Sequence, residues 1–129
     1  MYGQVTVEYL LISLIGLVLI SFSIISLAQI KESSTDSYEA ILFKESASEL
    51  ANAADTVCAL GNYNSRSIYI KSKIDVEGDQ RNDKFFMVVT ETNSSRESAK
   101  ETLCLVNGKK GAYGKTKITN KNGEIYLES

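Results

Sequence analysis

The chain has 129 residues, a formal net charge of −2, and no histidine, proline or tryptophan. That length accommodates one membrane helix and one small soluble domain, and near-neutrality argues neither for nucleic acid nor for a strongly acidic partner. Without histidine the commonest general base and metal ligand are missing, and no G-x-S-x-G, H-E-x-x-H, C-x-x-C or Gly-rich phosphate loop occurs, so neither an enzyme nor a cofactor is expected. The balance is uneven along the chain: residues 31–60 carry two basic and six acidic side chains, and residues 61–129 twelve and nine.

The N-terminal stretch MYGQVTVEYLLISLIGLVLI begins an apolar run with one carboxylate, Glu8, at its edge. From Tyr9 to Ile30 the only ionisable group is the Tyr9 phenol. As a helix this segment is about 33 Å long, enough for a hydrocarbon core of about 30 Å. It is too long for the apolar part of a secretory signal, and ISLAQIKES turns polar without a small-residue cleavage site, so the segment reads as retained. Glu8 then has two readings. One is a headgroup-level carboxylate beside a membrane anchor. The other starts from Gln4, one helical turn before it: a cut between Gly3 and Gln4 would place a new amine within reach of Glu8.

Gly3-Gln4-Val5-Thr6-Val7-Glu8, followed at once by the apolar run, resembles the class III signal peptide of archaeal type IV-like pilins. The resemblance implies a leader of residues 1–3, cut after Gly3 by a prepilin peptidase, with Gln4 the mature N-terminus and Glu8 the glutamate used in assembly. Tyr2 stands where the family usually carries Lys or Arg. The implied partners are further copies of the chain, other pilins and the assembly machinery in the membrane; the implied place is first the membrane, then an extracellular filament serving surface attachment. A second, different reading is a membrane-anchored monomer acting as a binding or adaptor domain, or as a minor subunit.

Within the apolar helix Ser13, Gly16, Ser23 and Ser26 fall inside an arc of about 140°. Small residues on one face let helix backbones approach in an apolar medium, although Ser and Gly are also common in spans that pack against nothing. From 31 to 60 the apolar positions Tyr38, Ile41, Leu42, Leu50, Ala54, Val57 and Cys58 recur at helical steps and Gly61-Asn62 marks a stop. The pattern predicts a nearly continuous helix from about Val5 to Leu60, membrane-apolar over 4–30 and amphipathic over 31–60, with a kink at Glu32-Ser33-Ser34-Thr35.

Beyond Gly61 the period is two, and residues 61–129 read as the sheet part of an extracellular head. SIYIKSKIDV is a half-buried strand with Ile68, Ile70, Ile74 and Val76 on one face. KFFMVVTE alternates little and reads as a central strand covered on both faces, LCLV as a third strand, and KTKIT and EIYLE as a hairpin. The fold class is α+β: a long N-terminal helix packed on a small antiparallel sheet, also the pilin architecture.

Four smaller features complete the reading. Cys58 and Cys104 are too far apart for a zinc cluster; outside the cell they suggest a disulfide, and otherwise two buried thiols. Asn93-Ser94-Ser95 is the one N-x-[ST] sequon, in a predicted turn. Asp75, Glu77 and Asp79 read as a solvated turn instead of a calcium loop, because the glycine and the bidentate Glu are misplaced. Lys109, Lys110, Lys115, Lys117 and Lys121 read as a solubilising sheet edge ahead of a phosphate-binding surface.

Overall fold

A computed structural model describes residues 2–129, with side chains from Gly3 onward. One helix, α1 (Tyr2–Leu60), precedes six strands: β1 (Ser65–Arg81), β2 (Lys84–Glu91), β3 (Glu97–Thr102), β4 (Leu105–Val106), β5 (Lys109–Lys121) and β6 (Glu124–Glu128). The fold is α+β, a long N-terminal helix packed on one mostly antiparallel sheet, ordered β3-β2-β1-β5-β6-β4. The chain divides into two compact units, one up to Tyr38 and one from Glu39 to Ser129.

Helical hydrogen bonding runs unbroken through 32–35, where a kink was expected. The hydroxyls that might have competed instead bond back along the helix, Thr35 Oγ1 donating to the Lys31 carbonyl at 3.0 Å and Ser37 Oγ to that of Ser33 at 2.9 Å.

In the second unit, α1 buries Phe43, Ser46, Ala47, Leu50, Ala51, Ala53, Ala54 and Val57. Opposite them lie Ile68, Ile70, Ile74, Val76, Met87, Val89, Ala112, Ile118 and Ile125 from the inner face of the sheet. The expected stripe is corrected at its start, since Tyr38 and Ile41 are exposed. Ile41 is nine residues from Leu50, which at about 100° per residue puts it on the opposite side of the helix. Steps of three and four looked regular, but the gap from Leu42 to Leu50 let the phase drift.

The helix ends where Gly61 takes φ 91° and donates its N–H to the Cys58 carbonyl. Asn64 Nδ2 donates to the Leu60 and Gly61 carbonyls at 2.7 and 3.2 Å. Buried Asn120 joins this end to β5, its backbone exchanging bonds with Tyr63 and Asn64. Farther round, the Leu103 N–H donates to Asp55 Oδ1 at 2.9 Å, and Cys58 and Cys104 form a disulfide with Cα atoms 6.0 Å apart. Closing 46 residues, that bridge stabilises by about 4 kcal/mol in the chain-entropy model.

The strands correct four expectations. β2 buries only Met87, Val89 and Glu91 on one face, leaving Phe86 and Val88 half-exposed on the other, so it is covered on one side. LCLV contributes only the two residues of β4, which pairs in parallel with β6, and Cys104 lies in the bend before it. Polar ESAKET, without apolar alternation, forms β3 because β2 offers it an unfilled edge. The lysine-rich segment is β5, bonded to β1 over residues 109–119 and to β6 over residues 117–121, so Lys117 is interior while Lys109, Lys110 and Lys115 lie outside the β6 pairing. Asp75, Glu77 and Asp79 lie within β1 instead of a turn, and the turn is Asn82-Asp83, with φ 49° and 62°.

The sheet curls so that β4 comes back against β1. A Cβ on Gly78 would stand 1.9 Å from the Val106 carbonyl oxygen, and one on Gly108 2.9 Å from that of Val76. Gly78→Ala therefore forces two backbones apart and should destabilise by about 1–3 kcal/mol or more, read as a lowered thermal midpoint. Gly16→Ala, where nothing lies within 4 Å, meets no such clash and should not lower it. Reducing the disulfide, or replacing both cysteines by serine, should remove about 4 kcal/mol, checked by denaturant titration with and without reductant.

Candidate functional site

Over its described residues the first unit is a single helix. Every large apolar side chain from Val5 to Ile30 is between 52% and 72% exposed. Soluble monomers rarely expose contiguous apolar patches beyond a few hundred Å², so this surface requires lipid or other helices around it. It belongs to the helix of the described residues that is long and apolar enough to cross a membrane. Its backbone donors and acceptors are used internally, as an apolar medium demands. Its serines follow suit: Ser21, Ser23 and Ser26 donate to the carbonyls of Leu17, Leu19 and Phe22 at 2.8–3.0 Å.

The structure places Ser13, Gly16, Ser23 and Ser26 on this helix as the sequence predicts, with open space beside Gly16. Ser23 and Ser26 are already bonded within the helix, so these two hydroxyls can meet another backbone without being stranded as donors. Gly3, Gln4 and Glu8 all lie inside α1, and Glu8 is exposed. Gln4 and Glu8 are one turn apart, about 6 Å along the axis. Met1, the first residue of the expected leader, lies outside the described residues.

The Gly3–Gln4 peptide bond is helical. Gly3 makes opening this first turn easier by about 1 kcal/mol than alanine would. Removing residues 1–3 would also move the positive end of the helix dipole to Gln4, and the four unsatisfied N–H groups of the new terminus would lie just before Glu8.

A second polar constellation, which the sequence reading missed, sits in the second unit beneath the sequon. Glu91 is buried and accepts hydrogen bonds from Ser72 Oγ (2.9 Å), Arg96 Nη1 (2.7 Å) and Ser94 Oγ. Ser94 Oγ also accepts the Arg96 N–H at 3.2 Å. These bonds brace the turn 92–95, on which Asn93 is exposed as a glycan acceptor must be. The one sign in the sequence was an acid in period-two phase with Met87 and Val89, and the fold then pairs it with Ile74 on the inner face. A buried carboxylate must be matched, and here Ser72, Ser94 and Arg96 match it.

The apolar helix suggests membrane insertion or secretion, and the disulfide suggests an extracytoplasmic domain. Helix and sheet together make a pilin-like architecture. Comparison with protein-family models, with curated proteins and with solved structures returns no match.

Burial alone would raise the pKa of Glu91, but the bonds from Ser94, Ser72 and Arg96 outweigh it and hold the carboxyl below its ordinary value of 4.5. The folded state thus gains stability above that ordinary value, and loses it as the pH falls from there through the lowered folded value. Thermal unfolding should show this acid-side loss in the parent and less of it in Glu91→Gln. The variant should be less stable at neutral pH by about 1–3 kcal/mol, because three donors lose a charged acceptor.

Proposed function

We propose that this protein is a structural subunit of an extracellular, pilus-like filament. It is made as a membrane-inserted precursor, cut after Gly3 by a prepilin peptidase, and polymerised through its N-terminal helix. The observation that carries this reading is the fully exposed apolar surface of that helix beside a disulfide-pinned sheet domain. Lipid covers such a surface before assembly, and a bundle of like helices covers it afterwards. Ser13, Gly16, Ser23 and Ser26 let those helices approach, and Glu8 neutralises the Gln4 amine within one chain or between neighbours. A glycan at Asn93 would face outward, and surface attachment is the filament's use.

The competing reading, an anchored monomeric binding domain, draws on the same helix: the Ser21, Ser23 and Ser26 hydroxyls are satisfied internally, so that part of the helix could also stand alone in lipid. N-terminal sequencing separates the two. A filament subunit should begin at Gln4, as a free amine or as pyroglutamate; surface-exposed protein that keeps Met1-Tyr2 is an anchor.

The role of Glu8 is read from variants. An uncompensated charge in a packed helical core costs several kcal/mol and a paired one far less. Glu8→Gln should insert and be cut normally yet lower filament yield by at least about tenfold, with Glu8→Asp in between. Full yield from correctly cut Glu8→Gln protein would remove the electrostatic role. Cyclised Gln4 in assembled filaments would do the same, since the amine would then carry no charge.

A further inference from the structure

The inner face of the sheet is filled by α1, but its outer face is open and differs in charge between its β1–β2–β3 and β1–β5 parts, with Glu128 of β6 standing beside Lys117 and Lys121 at the far side. On the β1–β2–β3 side, the register aligns three cross-strand rows that face outward. These are Asp75–Thr90–Glu97, Glu77–Val88–Ala99 and Asp79–Phe86–Glu101. Phe86 and Val88 are half-exposed, so this half has an apolar centre ringed by carboxylates. Arg81 and Lys84 offset two of them, Asp79 and Glu101, in exposed pairs.

On the β1–β5 side of the same face the signs reverse. Tyr69 is paired in register with Lys115, and Ser67 with Lys117. Tyr113 lies two residues before Lys115 on the same face, and Lys73 lies along Gly111, its Cε 3.4 Å from where a Cβ there would be. Tyr69 and Tyr113 are 57% and 58% exposed. Two aromatic rings among lysines are not what solubility alone requires, and such aromatic side chains are enriched at protein contacts.

We infer that the outer face is a self-association surface. The Tyr69–Tyr113–Lys115 half of one copy docks on the Phe86–Val88 half of a second copy, with Lys73 and Lys115 meeting Glu77 and Glu97. The occupant is a second copy because the two halves complement each other in both respects: aromatic rings against an apolar centre, cations against a carboxylate ring. An anionic lipid or a polyanion would suit the basic half but be repelled by the acidic half on the same face. This contact is made by the sheet domain, does not involve the apolar helix, and goes beyond the filament reading.

The test uses the full chain in detergent micelles, with a benzophenone amino acid replacing Tyr113 and two isotopically distinct preparations mixed. Irradiation should yield a covalent dimer whose inter-copy link maps to residues 84–101. Its yield should fall about tenfold with Lys73→Glu/Lys115→Glu or with Glu77→Lys/Glu97→Lys, and recover when all four changes are made in one chain. It should also fall toward about 1 M salt, where screening acts within about 3 Å. No link to 84–101, a link insensitive to either reversal, or binding to anionic vesicles without any inter-copy link would overturn the inference. The filament reading is scored separately on the same variants. Normal filaments without the link leave that reading standing and remove this surface; the link without filaments does the opposite.

Discussion

The sheet domain depends on one seam, where the stripe from Phe43 to Val57 lies against the inner face of β1, β2 and β5. Its alanines, 47, 51, 53 and 54, are small, while Leu50 and Val57 supply the volume that fills the space between helix and sheet. Ser46 is the one polar residue in the stripe, and it is satisfied by accepting the Lys71 N–H at 3.1 Å, at the bulge where β1 departs from regular pairing. Helix and sheet are thus joined by a hydrogen bond where the ladder is broken as well as by apolar contact.

Everything C-terminal to the seam works to hold it. The disulfide and the Asp55 carboxylate tie the β3–β4 connection to the last turns of α1. Asn64 and Asn120 tie the end of the helix to β5. Gly78 lets β4 close over β1, with no room for a side chain between them. A small domain has little apolar area to bury, and these local ties supplement it.

The N-terminal unit obeys the opposite rule. Its large apolar side chains from Val5 to Ile30 are exposed, so the stability of that surface comes from whatever surrounds it. One continuous helix therefore serves two solvents: the first half is apolar all round, and the second is apolar along one stripe only. The change falls among the polar residues 31–37, where serine and threonine hydroxyls fold back on the helix and leave its hydrogen bonding intact.

The sequence by itself determined the elements whose cause is local. A long proline-free apolar run can only be helical in lipid, so α1 and its span were legible, as was the period-two strand at Ile68–Val76. The Asn122-Gly123 turn was legible too, because its positive φ values, 58° and 85°, suit those residues. The pairing of Cys58 with Cys104 was one of two open readings until the fold brought their Cα atoms to 6.0 Å. Only the tertiary structure decided what depends on neighbours distant in the chain. The phase of the helical stripe followed from where the sheet lies, and so turned Ile41 outward. Strand β3 exists because β2 had an edge to fill, and the C-terminal part of lysine-rich β5 is interior because both β1 and β6 pair with it. Glu91 is buried because Ser72, Ser94 and Arg96 converge on it. Strand order and burial are properties of long-range pairing, and a pattern of period two records which residues share a face but not what covers it.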